Sequence, residues 1–150
     1  MSANSVALID RDLGARLERA SVLQQRAAAL AAARFALAQT AVADPILSDG
    51  LDALAAGATV DSALVERIEA VVDALDQAQW QLQEKREAGK ATEAEHRAAF
   101  QKARAANAVL AALNADTLAA ASDSIYEAYH ATNDLAGLRG VVLSTVSSGA

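Results

Sequence analysis

A chain of 150 residues, 53% hydrophobic, with a single proline and roughly a quarter alanine, is long enough for one packed domain spanning 1–150 and contains little that interrupts helices. Its net charge of −6 and isoelectric point near 4.8 argue against a nucleic-acid backbone or an anionic membrane as the main partner. The lack of cysteine excludes disulfides, thiolate metal sites and a cysteine nucleophile, and a 3% aromatic share excludes a core built on large rings.

The opening residues, MSANSVALIDRD, lack the basic end and apolar run of a secretory signal, so a cytoplasmic protein is expected. A helical stretch is predicted from near Ser5 to Ala43, weakened at Gly14. Leu23, Leu30 and Leu37 recur every seven residues and, with Ile9 and Ala27, form one apolar stripe. On the far side, Ala28, Ala32 and Ala36 follow one another at i+4, a spacing of small side chains that lets a second helix approach the backbone. These alanines are therefore candidate interface residues, with exposed alanine serving only as a helix former as the alternative. The tract Ala27–Ala43 carries Arg34 and Gln39 and falls short of the ~20 apolar residues that span a bilayer, so no membrane segment is expected.

Asp44-Pro45 is a helix-start signal, an N-cap carboxylate followed by proline, for a short helix to about Ala56. After the break at 57–59, a helix from Val60 or Asp61 to Glu87 carries the clearest pattern in the chain. Leu64, Ile68, Val71, Leu75, Ala78 and Leu82 alternate steps of four and three, a seam of coiled-coil type. Gly89 turns the chain, and Thr92 with Glu95 forms a capping box for a helix to about Ala115, with Ala99, Ala103, Ala106, Leu110 and Leu113 inward. Asp116 caps the next helix, whose inward set is Leu118, Ile125, Tyr129 and Leu135 or Ala136. Asn133-Asp134 breaks it before a last segment, Leu135 to Val146, and residues 1–4 and 147–150 are expected to fray. The fold class is all-α: an antiparallel helical bundle with a long N-terminal helix and a central coiled-coil-like hairpin, Val60–Glu87 against Thr92–Ala115.

The only tryptophan, Trp80, falls nearly opposite the seam, among Glu69, Asp73, Asp76, Gln77 and Glu84. Two arrangements satisfy that face. Either Trp80 anchors a protein interface, or the arginine-bearing first helix of the same domain packs across it and hides the ring. The charge distribution fits both, since Asp44 through Asp76 is strongly acidic and the first helix carries Arg11, Arg16, Arg19, Arg26 and Arg34.

Catalytic motifs are scarce. Glu93/His96 and Glu127/His130 share the i, i+3 spacing of di-iron bundles, but helix rotation turns Glu127 and His130 away from Tyr129, and the level of His130 lies roughly 9 Å from that of His96 at 1.5 Å per residue. The seam also offers no core-facing glutamate, so neither metal nor cofactor is expected, and no enzyme. The leading expectation is a non-enzymatic helical bundle that works through protein contacts, chiefly with itself as a homo-oligomer. Its interface would combine Trp80, Glu69, Asp73, Asp76, Glu84 and the Ala28/Ala32/Ala36 face. A small-ligand or metal-binding bundle, with His96, Phe100, Asn107 and Tyr129 around a pocket, is the alternative. A second alternative is an acidic inhibitor or immunity-type protein that uses the Asp44–Asp76 charges against a basic target. The excess of arginine over the three lysines, Lys85, Lys90 and Lys102, fits a GC-rich bacterial or phage genome.

Overall fold

A computed structural model describes residues 4–57 and 59–146. A 3-10 turn, Ser5–Leu8, precedes α1 (Arg11–Arg19), α2 (Val22–Thr40), α3 (Pro45–Ala55), α4 (Ser62–Glu87), α5 (Glu93–Ala112), α6 (Thr117–Thr132) and α7 (Leu135–Val146), with no strand among the described residues. The protein is all-α, as its composition and periodicity predict. Among the described residues, no helix is long and apolar enough to cross a membrane.

Every helix begins at a side chain that takes up an orphan backbone donor. Asp10, Asp44, Asp61 and Asp116 accept from the amides of Leu13, Ile46, Ala63 and Ala119, and Asp134 does the same for Gly137. Ser21/Gln24 and Thr92/Glu95 form reciprocal capping boxes at the starts of α2 and α5. Gly89 (φ +75°) and Asn133 (φ 51°) occupy the left-handed region where α4 and α6 end.

The first of these boxes corrects the N-terminal reading. The predicted long helix is broken at Ile9-Asp10 and again at Ala20-Ser21, not weakened at Gly14. Gly14 is buried, and a Cβ there would lie 3.1 Å from the Ala7 backbone, so it serves the close approach of the 3-10 turn. Asn4 is not frayed either: it is buried and donates to the Gly14 carbonyl at 2.8 Å. The rest of the expected frayed ends, 1–3 and 147–150, and Ala58 in the 57–59 break lie outside the described residues.

One apolar cluster runs through all seven helices. At its centre α2, α5 and α6 pack on one another, with α4 laid against α5, α7 against α2, and α3 touching α2, α4 and α5. The central contacts are made of alanine: Ala28, Ala29, Ala32, Ala33 and Ala36 on α2, Ala105, Ala106, Ala108 and Ala112 on α5, and Ala120, Ala121, Ala128 and Ala131 on α6. Small side chains let these backbones approach so closely that the Ser124 hydroxyl of α6 lies 3.2 Å from the carbonyl of Ala29 and 3.0 Å from that of Ala108. Its proton is shared between two neighbouring helices.

This packing inverts the expected polarity of α2. The Ala28/Ala32/Ala36 face is fully buried inside the domain and is closed to a second chain, whereas Leu23 of the predicted inward stripe is 80% exposed. Leu30 and Leu37 sit half-buried at the margin of the core. The inward set of α6 is likewise small, with Ile125 at its middle, Leu118 and Tyr129 at its edge and Ala136 exposed on α7.

Helix α4 keeps its predicted span but not its predicted facing. Its buried line is Ile68, Val72 and Gln79, while Leu64, Val71, Leu75 and Leu82 are half-buried and Ala78 is exposed. At ~100° per residue this amounts to a rotation of about 60° from the seam. The cause lies in the partner, since α4 rests on α5 and α3 and presents polar groups to α5. Asp76 accepts from Arg104 at 3.0 Å, and Gln79 Oε1 lies 3.1 Å from His96 Nε2.

Candidate functional site

The rotation of α4 decides where its side chains go. Trp80 ends up on the flank of the helix, 56% exposed, so no helix of the domain hides it and the intramolecular reading is overturned. Glu69, Asp73 and Glu84 are exposed on the same side. Asp76 is not: it turns toward α5, where its carboxylate meets Arg104 and lies 3.4 and 3.5 Å from the Asn107 amide. Arg104 also donates to Glu127 of α6 at 2.9 Å, giving an acid–base–acid bridge across α4, α5 and α6 whose three side chains are between 17% and 24% exposed. Burial raises the Glu127 pKa above the usual carboxylate value, and the adjacent Arg104 only partly offsets this.

The apolar surface elsewhere is concentrated at the start of the chain. Leu8, Val22 and Leu23 are strongly exposed, and the last two sit at the α1–α2 junction between Arg19 and Arg26. Neither arginine has an acidic partner among the described residues, nor does Arg11. Periodicity pointed Leu23 inward because it ranks residues by size, and the core here selects for smallness.

A cleft of about 770 Å³ opens where the end of α4, the first half of α5 and the end of α6 meet. His96, Phe100 and Tyr129 of the predicted pocket line it together, joined by Arg86, Arg97, Gln101, His130 and Asn133. Asn107 does not belong to it. Its amide is committed to the Ala103 carbonyl at 2.8 Å and to Asp76, and it borders a separate hollow of about 610 Å³ with Asp123, Tyr126 and Glu127.

The two Glu-x-x-His pairs are divided by the same geometry. Glu93, His96 and His130 share the cleft although helix levels separated the histidines, because the cleft spans that offset. Glu127 faces Arg104 instead. No group of three His, Asp or Glu side chains that could hold a metal ion exists among the described residues.

The rings of the cleft meet edge to face or tilted: His130 lies 5.3 Å from Tyr129 and His96 lies 6.5 Å from Phe100, while the other side of His130 rests 4.6 Å from Tyr126, which borders the second hollow. The Arg104 guanidinium sits 5.7 Å from the Phe100 ring centre. The pairing of His96 Nε2 with Gln79 Oε1 requires the proton on Nε2, which fixes the ring and leaves Nδ1 as the acceptor of the neutral form. The sequence reading considered His130 only as half of a Glu-x-x-His pair and missed Arg86, although Arg86 had a signal. It continues the seven-residue spacing of Val72 and Gln79, so the buried line of α4 ends in two polar residues.

Compared with known proteins, the chain matches no family model, no curated protein and no solved structure.

Proposed function

We propose that this protein acts without catalysis, through contacts between protein chains, and that its first partner is a second copy of itself. The observation that carries this reading is Trp80, the chain's only tryptophan, 56% exposed on an acidic flank. A large ring left more than half in water among Glu69, Asp73 and Glu84 forgoes burial that a partner would supply, on the order of 2 kcal/mol for a side chain of this size. The partner's complement is present on the same chain. Val22 and Leu23 supply exposed apolar surface, and Arg19 and Arg26, which flank them in sequence, supply positive charge that has no acidic partner among the described residues.

The acidic aromatic patch is on α4 and the basic apolar patch at the α1–α2 junction. Joining unlike patches makes a heterologous, head-to-tail contact, which extends to rings or filaments and suits a scaffold or assembly component. The Ala28/Ala32/Ala36 face has no part in it.

The test is solution mass by light scattering over a range of concentrations. Wild type should form oligomers that weaken with salt, and its tryptophan emission should shift to the blue as they form. Trp80→Ala and Leu23→Glu should each be monomeric alone and form a dimer when mixed, since the mixture retains one intact pair of patches. A wild type that stays monomeric at every concentration, or two variants that do not complement, would rule out this assembly.

A further inference from the structure

We propose that the cleft between α4, α5 and α6 binds a small organic anion, a carboxylate or phosphate monoester carried on a flat apolar body. The site is independent of the Trp80 and Leu23 patches, and nothing in the self-association reading requires it.

The first support is local charge. The protein carries −6 overall, yet the cleft contains two arginines and two histidines against one acid, Glu93. Glu93 is already committed to Arg97, its Oε1 accepting from Nη2 at 2.9 Å, so that pair cancels. What remains is Arg86.

Arg86 is the second support. It is half-buried at the end of the inward line of α4, its Nε is shielded from solvent without a hydrogen-bond partner, and no carboxylate among the described residues pairs with its guanidinium. Arg104 makes a useful contrast. Its Nε is also unpaired, but both terminal nitrogens hold carboxylates. A guanidinium donates five hydrogen bonds in a fixed fork, and a planar carboxylate or a phosphate satisfies two of them at once. An acidic protein that keeps one arginine partly desolvated and unpaired beside a cleft has left a place for an anion from outside.

The third support is shape and lining. About 770 Å³ is the size of a small-molecule site. Phe100 and Tyr129 offer ring surface for an apolar body, and Gln101 and Asn133 offer amide groups to orient it. The other hollow, about 610 Å³, is lined by Asp123 and Glu127 with no base, so it repels the same ligand and serves as an internal control.

The chain's two histidines provide the readout, because each gives one resolvable imidazole signal and both line the cleft. Phenyl phosphate, benzoate, inorganic phosphate and phenol would be titrated while the His96 and His130 signals are followed by NMR. Phenyl phosphate and benzoate should shift both signals saturably, inorganic phosphate should bind at least roughly tenfold more weakly for want of the ring, and neutral phenol should not saturate. Arg86→Gln should weaken phenyl phosphate binding at least tenfold while Asp123→Asn, in the other hollow, leaves it unchanged. Circular dichroism checks that Arg86→Gln is folded, and Arg86→Lys, which keeps the charge but loses the fork, should bind with intermediate strength. Absence of a saturable shift with both phenyl phosphate and benzoate, or equal binding by wild type and Arg86→Gln, overturns the proposal.

Discussion

Thr117 at the start of α6 donates its hydroxyl proton to Gln25 Oε1 on α2 at 2.6 Å, and the amide of the same Gln25 donates to the Leu17 carbonyl at 2.8 Å. One buried glutamine thereby closes the end of α1, anchors the first turns of α2 and receives the first turn of α6. It explains why the chain can break at Ser21 without leaving the end of α1 unsatisfied. Gln25→Leu should cost about 2 kcal/mol, since it strands a buried hydroxyl and takes one donor from the Leu17 carbonyl. Urea unfolding measures this, and a change under about 0.5 kcal/mol would show that the linkage is not structural.

Arg104 holds two carboxylates from different helices, and removing it leaves Asp76 and Glu127 facing each other with little solvent. Arg104→Met should therefore destabilise the protein by about 2–3 kcal/mol near neutrality. The loss should shrink in acid, where protonation of Glu127 removes one of the two facing charges. A loss that is the same at both pH values would mean that packing of the arginine stem, not its charge, matters.

Glu127 titrates in the opposite sense to an ordinary paired carboxylate. Burial raises its folded-state pKa above the ordinary 4.5, against the pull of Arg104, so the fold favours the protonated form. Its stabilising contribution is complete below 4.5 and is lost as pH rises through the raised value. Glu127→Gln removes this loss, and its stability relative to wild type should improve between mildly acidic and neutral pH. Parallel stability curves for the two proteins would contradict this. Asp12 runs the other way: the hydrogen bond from Arg139 lowers its pKa, so its contribution is present above its ordinary value of 3.8 and fades on acidification below it.

Ala32 is fully buried among α2 and its neighbours. Ala32→Leu should overpack that contact and cost about 2–3 kcal/mol, seen as a lower thermal midpoint at constant oligomeric state. Had the alanine face been an interface, the same change would alter association and leave the monomer's stability nearly untouched.

Much of the fold is legible along the chain because helix ends are local events. Asp44-Pro45, Thr92 with Glu95, Gly89, Asp116 and Asn133 each act within a turn, and the structure puts helix boundaries at all of them. The break before α2 was equally local, written in Ser21 and Gln24, and was hidden by an apolar periodicity that continued across it. The candidate site was less legible. Three of four pocket residues meet in the cleft, but Arg86 and His130 join them only through the meeting of three helices.

By itself, the sequence determined that this protein is helical, where most of its helices start and stop, and that its core cannot be built on large rings. Those properties depend on backbone propensity and on caps that reach three or four residues. Ala103 and Ala106 of α5 and Ile125 of α6 are buried as their spacing predicts, but tertiary structure alone decided which faces of α2 and α4 are buried. Alanine is small enough to be covered from any side, so α2 buries the face its leucines avoid, and α4 turns about 60° to give Asp76 and Gln79 their partners on α5. The same rotation brought Trp80 from the far side of α4 only as far as its exposed flank, and carried Arg86 to the edge of the cleft with no counter-charge among the described residues.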